Sequence, residues 1–249
     1  MMIWHVSLPA RNVVIEMLNY GLQNHMLSAW SAFDRHRGKS NLNCGLEEIR
    51  SAKGRVFLDS GALSALRKHP PALDWLERQA EIASYAKDIG ADLVAHLDVP
   101  VERKGLANAK LSRNEALAIS IRNARAFMDL DVGRARKVYV LQGWTIGEYE
   151  NCLDEFAELG IPDDGNALGL GTCCMRKETR GLWQIAERVR ELTRGHWLHA
   201  FGVGDVSKIP RLAFLGYDSV DEGNTVRAII YRKSSVLDKL LETYKRFDA

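Results

Sequence analysis

The sequence predicts an α/β protein, a single (β/α)8 barrel of the TIM type over residues 1–249. Three observations carry that expectation. Short apolar, β-rich runs alternate with segments of helical period, the rhythm of βα units built on a parallel sheet. Eight such runs fit into 249 residues, the size and repeat number of that barrel. The first run leads into Ser7-Leu8-Pro9-Ala10-Arg11, not into the glycine-rich turn that opens a doubly wound dinucleotide fold.

The candidate strands, in chain order, are Ile3–Leu8, Met26–Trp30, Val56–Asp59, Asp92–Asp98, Val138–Gln142, Ala167–Leu170, Trp197–Phe201 and Tyr217–Asp221. The pattern is thinnest in the first two units, where Met26–Trp30 is short and residues 34–43 are polar and irregular. Helix signals fill the gaps. Ser112-x-x-Glu115 is a capping box, followed by Leu117, Ile121, Ala124 and Met128 on one face. Thr145-x-x-Glu148 is a second box, followed by Tyr149, Cys152, Leu153 and Phe156, with Gly160 as the stop. Leu182, Ile185, Ala186, Val189 and Leu192 form the stripe of a third helix that Gly195 ends, and Leu237, Leu240, Leu241 and Tyr244 that of the closing one.

Hydrophobic residues make up 46% of the chain and charged ones 27%, enough to fill a sizeable core. A net charge of +2 neither requires nor excludes a nucleic-acid partner, so local clustering has to decide. Cys44, Cys152, Cys173 and Cys174 show no CxxC spacing, which favours a reduced, cytoplasmic protein. No stretch approaches membrane-spanning length, no signal peptide opens the chain, and no linker, repeat or low-complexity tract divides it. One soluble domain is expected.

Active sites of such barrels lie where the strands finish. Those finishes read Asp59-Ser60-Gly61, Asp98, Gln142-Gly143, Gly169-Leu170-Gly171, Phe201-Gly202-Val203-Gly204 and, after Asp218, Asp221. Each alone is weak: a lone Asp-Ser-Gly is more often a helix cap, and glycines after strands are usually turns. As a set they put an acid, an amide or a glycine at one rim, strand after strand. Carboxylates converging on one pocket suit acid/base work or displacement at a sugar carbon. In retaining glycosyl transfer one carboxylate attacks the anomeric carbon while the other protonates the leaving group and later deprotonates the incoming one. The Gln142 amide and the backbone at Gly169–Gly171 can read the edge of a flat heterocycle, and Trp144 can stack on one or simply pack.

The ordered set Asp-Ser-Gly, Asp, Gln-Gly, Gly-Leu-Gly, His-Ala-Phe-Gly-Val-Gly and Gly-Tyr-Asp-x-x-Asp resembles the tRNA-guanine transglycosylase superfamily, over Asp59 to Arg227. Members replace a guanine in a polynucleotide by a 7-deazaguanine through a covalent enzyme–ribose intermediate. The resemblance implies that Asp221 is the nucleophile, Asp59 (followed by Ser60 and Gly61) the general acid/base, and Asp98 the acid that binds the amidine edge. It implies that Gln142, beside Gly143, meets the base's carbonyl and that Gly169, Leu170 and Gly171 hold the base. His199 and Gly202 would shape the pocket, and Asp218 would support the nucleophile.

Superfamily enzymes acting on tRNA carry a zinc site of clustered cysteines and a histidine after the nucleophile. Here Cys174 is the last cysteine and precedes Asp221, and the adjacent Cys173-Cys174 pair cannot reproduce the spacing. Neither metal nor cofactor is therefore expected. The sequence is most similar to the short, zinc-free branch that inserts 7-deazaguanines such as preQ0 into DNA, typical of bacteriophages and bacterial modification gene clusters. The implied partners are DNA, the 7-deazaguanine base and proteins of such a cluster. The same exchange on tRNA is the alternative. Arg176, Lys177 and Arg180, with Lys104 and Arg113, would meet phosphates near the rim, although the glutamates along that helix also fit a solvated face. A different class stays open as well: His96, Asp98 and His199, with His5, are residue types that a metal-dependent barrel hydrolase uses, although the usual His-x-His of the first strand is absent.

Overall fold

In the computed structural model, residues 3–7, 11–29, 45–68, 74–162, 165–173, 179–203, 205–222 and 234–248 are described. Eight short strands follow one another in sequence order and all pair in parallel: β1 (Ile3–Ser7), β2 (His25–Ser28), β3 (Val56–Asp59), β4 (Leu93–Ala95), β5 (Arg136–Leu141), β6 (Ala167–Leu170), β7 (Leu198–Ala200) and β8 (Ser219–Glu222). The last returns to the first, with His5 opposite Asp221, so the predicted barrel closes and leaves no sheet edge.

Period-two alternation decides what faces inward. Met26, Phe57, Leu93, Ala95, Val138, Val140 and Ala167 fill the barrel, with Phe201 and Trp197 packed against them. Their neighbours Leu58, Val94, Tyr139, Leu168, Leu198 and Val220 join the core between sheet and helices. The same alternation carries Asp59 inward after Phe57, Gln142 after Val140, and Asp221 after Ser219.

The surrounding helices are α1 (Arg11–Asn19), α2 (Leu46–Ser51), α3 (Ala62–Lys68), α4 (Trp75–Ile89), α5 (Arg103–Ala109), α6 (Arg113–Met128), α7 (Ile146–Glu158), α8 (Thr179–Leu192), α9 (Ile209–Leu215) and α10 (Ser234–Asp248). Both predicted capping boxes form, Ser112 with Glu115 at α6 and Thr145 with Glu148 at α7. Gly160 and Gly195 follow α7 and α8 with left-handed φ of 75° and 86°. No helix among the described residues is long and apolar enough to cross a membrane.

Two departures from the sequence reading bear on the site. The buried face of α6 is Ala116, Ser120, Asn123, Ala124 and Phe127, so the predicted stripe is rotated; Leu117 and Ile121 instead line an outer groove between α6 and α7. The rotation has a polar cause. Beyond Ala95 the chain leaves the ladder, and its backbone groups are met by side chains of the helix layer. Gln79 of α4 accepts from the Leu97 N–H, Ser120 accepts from the Val99 N–H at 2.8 Å, and the Asn123 amide donates to the Leu97 carbonyl at 2.7 Å. These three buried polar side chains peg the turn that carries Asp98. The second departure is in β8, which begins at Ser219 and leaves Asp218 before the strand.

Candidate active site

Where the strands finish, three aspartates gather at one rim, Asp98 and Asp221 buried and Asp59 partly so. Asp221, on β8, is buried and is held through one oxygen. Its Oδ1 accepts from the Gly202 N–H at 2.6 Å and lies 3.2 Å from His199 Nε2. His199, on β7, is fully buried, and its Nδ1 is 2.6 Å from the hydroxyl of Ser219. Burial holds its pKa near 3, so the ring is neutral at physiological pH.

Asp59 ends β3, and its Oδ2 accepts from the Gly61 N–H at 3.1 Å. The Ser60 hydroxyl turns the other way and donates to Asp98 Oδ1 at 3.2 Å. The Gln142 amide donates to Asp98 Oδ2, and its carbonyl accepts from the Thr172 hydroxyl. Asp98 therefore lies inside a continuous network, Thr172–Gln142–Asp98–Ser60, that crosses the pocket from β6 to β3. Gly171 makes room for it: a Cβ there would lie 2.2 Å from Gln142 Nε2 and 3.0 Å from the Leu141 carbonyl. Tyr149 of α7 donates to the Gly171 carbonyl at 2.8 Å and packs against Gly143.

The three carboxyls share an electrostatic character. Burial pushes Asp221 up to about 7, against the stabilising Gly202 N–H. Burial, and then the charge of Asp221, pushes Asp59 to about 7. Burial, and then the charge of Asp59, does the same to Asp98. Among the described residues no lysine or arginine pairs with any of them. Acids raised this far by desolvation, and in Asp59 and Asp98 also by a neighbouring carboxylate, are the kind that proton-handling sites use.

The family model described as "DpdA: DeoxyPurine in DNA protein A" matches residues 27–212, three quarters of the chain and every one of these aspartates except Asp221. The chain belongs to the DpdA family. It is also similar to a protein of Aeropyrum pernix named tRNA-guanine(15) transglycosylase, with 27% identity over 187 residues, 73% of this chain and 35% of that relative. The chain thus spans about a third of the length of the curated relative it matches.

Within this DpdA-family barrel, several sequence-predicted residues take places other than those expected. Asp218 sits at the opposite end, where β8 starts; its Oδ2 accepts from the Leu198 N–H at 2.9 Å and faces Arg190 at 3.9 Å. It is a strand cap, remote from the pocket. Gly169 has a packing reason, since a Cβ there would lie 2.4 Å from the Phe201 ring. The Leu170 carbonyl accepts from the Phe201 N–H at 3.0 Å, so that backbone group serves the barrel wall. The Gly202 N–H is committed to Asp221. His96 points outward, among Phe127, Tyr139 and Phe156, and accepts from the Val140 N–H at 3.0 Å. It lies on the other side of the barrel wall from His199, so the two cannot share a metal. No group of three or more His, Cys, Asp or Glu side chains placed to hold a metal forms among the described residues.

Lys104 and Arg113 stand exposed at the helix starts on the pocket side, Arg113 3.2 Å from Glu148, and Trp144 is exposed there too. Arg176 and Lys177, the side chain of Arg180, and the side chain of His5 lie outside the described residues. The sequence reading overlooked Thr172 and Ser219 as site residues. Ser219 was within reach of it, two residues before Asp221 and so on the same face of β8. Thr172 directly follows Gly-Leu-Gly, in a left-handed conformation (φ 61°) that nothing in its residue type announces.

Proposed function

We propose that this protein exchanges a guanine in DNA for a 7-deazaguanine base such as preQ0, through a covalent bond between Asp221 and the deoxyribose. The observation that carries this reading is the Asp59–Asp221 pair: two carboxyls at one rim with no cationic partner among the described residues, both raised to about 7, Asp59 partly by the charge of Asp221. Two such groups hold one proton between them near neutrality. Asp221, whose Oδ1 accepts from the Gly202 N–H at 2.6 Å and whose charge raises Asp59, is the better placed to be ionised, which leaves the proton on Asp59.

The steps follow from that division. A carboxylate oxygen of Asp221 attacks C1′, and the bond from C1′ to the guanine nitrogen breaks with its electron pair going to the base. Asp59 delivers its proton to that nitrogen, and neutral guanine leaves. The incoming 7-deazaguanine gives its ring N–H proton to Asp59, its nitrogen attacks C1′, and the ester opens to restore the Asp221 carboxylate. Asp98, when ionised, accepts from the N–H groups of the amidine edge, and Gln142 donates its second amide hydrogen, the one not on Asp98, to the six-position carbonyl. A base in a duplex must first be flipped out to reach this pocket.

The family description, deoxypurine in DNA, supports DNA as the polymer. The relative named tRNA-guanine(15) transglycosylase supports the same exchange on tRNA as the second reading. Purified protein, with and without proteins of a modification gene cluster, should be incubated with labelled preQ0 and either DNA or tRNA. Label entering DNA, with unlabelled guanine released in equal amount, is the expected outcome. Label entering tRNA alone contradicts the DNA assignment and leaves the chemistry standing.

A further inference from the structure

We propose that Asp221 attacks through Oδ2, and that His199 and Ser219 are positioning residues that hold its other oxygen. The inference rests on Asp221 as the nucleophile and adds which atom reacts and what aims it. Oδ1 carries both of the carboxylate's protein contacts, the Gly202 N–H at 2.6 Å and His199 Nε2 at 3.2 Å. Oδ2 has no hydrogen-bond partner among the described residues.

The proton positions on the histidine follow from its neighbours. A neutral imidazole has one N–H, and an ionised carboxylate can only accept. The proton is therefore on Nε2, and Nδ1 is an acceptor. The atom facing Nδ1 at 2.6 Å is a hydroxyl, which can donate. The chain runs in one direction: Ser219 O–H to His199 Nδ1, His199 Nε2–H to Asp221 Oδ1. Ser219 and His199 are opposite each other on neighbouring strands, and both are fully buried. Phe57 and Phe201 hold the ring edge-on at 4.9 and 4.4 Å, so it has little freedom to turn.

This arrangement suits a nucleophile. Two donors on one oxygen fix the carboxylate's rotation and leave the lone pairs of the other aimed into the pocket. A neutral donor orients the group without supplying a positive charge that would quench it. When the bond from C1′ to Oδ2 forms, Oδ1 becomes the ester carbonyl oxygen and keeps both donors. They bind a carboxylate more strongly than an ester, so they favour the bond breaking again when the second base attacks.

The test uses the whole protein and two kinds of readout. For Ser219→Ala and His199→Phe, the rate of base exchange should fall by about tenfold or more, the rate equivalent of one hydrogen bond to a charged group. The dissociation constant for free guanine should stay within about twofold, because neither residue touches the base under this assignment. His199→Gln, whose amide can donate to Oδ1, should recover part of the rate lost in His199→Phe. A weakened guanine affinity with unchanged turnover would make His199 a base-binding residue and overturn the proposal, as would wild-type exchange by His199→Phe. Nitrogen-15 NMR of the wild-type protein supplies the arm that does not need activity. The His199 proton is expected on Nε2; a proton on Nδ1 overturns the proposal whether or not base is exchanged. A correct tautomer in a protein that never exchanges base would instead count against the nucleophile reading beneath it.

Discussion

Asp92 and Asp218 stand where strands of this barrel begin, and Asp59, Asp98 and Asp221 where strands finish. At the first end both acids do the same job, four strands apart. Asp92 accepts from the Val56 N–H at the start of β3, and Asp218 accepts from the Leu198 N–H at the start of β7, each at 2.9 Å. Each is partly exposed and faces an arginine, Arg134 at 2.9 Å and Arg190 at 3.9 Å. At the other end Asp98 and Asp221 are buried and Asp59 is partly so, and none of the three has a cationic partner among the described residues. One residue type thus becomes a cap at one end and, in the function proposed above, a reactive group at the other. Counter-charge, and for Asp98 and Asp221 burial as well, makes the difference.

The largest expected effect falls on Asp221. Asp221→Asn should abolish exchange, a loss on the order of 10⁶-fold for a missing nucleophile, while circular dichroism shows the fold intact. Asp59→Asn should cost on the order of 10²–10⁴-fold, the usual share of a general acid/base. Asp218→Ala should behave in the opposite way. Exchange should stay within a few-fold, while urea unfolding reports a loss of about 1–2 kcal/mol for the stranded Leu198 N–H. An Asp218 variant as inactive as the Asp221 variant would erase the distinction between the two ends.

That distinction was only half legible in the sequence. Asp218 and Asp221 lie three residues apart in one motif and read alike, because an apolar run does not announce at which residue the ladder starts. Once β8 begins at Ser219, one acid falls below the barrel and the other above it. By contrast β3 and β6 were readable to the residue, each an apolar run closed by a polar or glycine break. The capping boxes at Ser112 and Thr145 were readable for a local reason, since both partners lie within one turn. Ser120 and Asn123 were not, because a polar residue on a helix reads as solvated unless its distant partner is known. Their partners, Val99 and Leu97, belong to another element. Thr172 was hidden likewise: in the sequence it merely follows a glycine motif, and its hydroxyl meets Gln142 thirty residues away.

The smallest expected effect concerns stability against pH, and it sharpens the contrast between the buried Asp98 and the partly exposed caps. Asp98, raised to about 7, keeps its proton in the fold while the unfolded chain loses it above about 4. It therefore removes stability as pH rises through that window. Asp98→Asn lacks this penalty, so relative to wild type it should gain about 1 kcal/mol or more between pH 4 and 7. Comparison with wild type is essential, because buried neutral histidines act in the opposite direction. His25, His96 and His199 are held near 4, 3 and 3, and remove stability as pH falls below the ordinary histidine value. A flat difference between Asp98→Asn and wild type across the window would mean that Asp98 is not held protonated.

The most direct test of a reactive rim is to catch the enzyme halfway. Wild-type protein incubated with guanine-containing DNA and no incoming base, quenched in acid and digested, should yield a peptide carrying deoxyribose on Asp221, with free guanine released in equal amount. The adduct should be missing from Asp221→Asn. An adduct on Asp59 or Asp218, or base exchange that proceeds unchanged in Asp221→Asn, would contradict the assignment of the nucleophile.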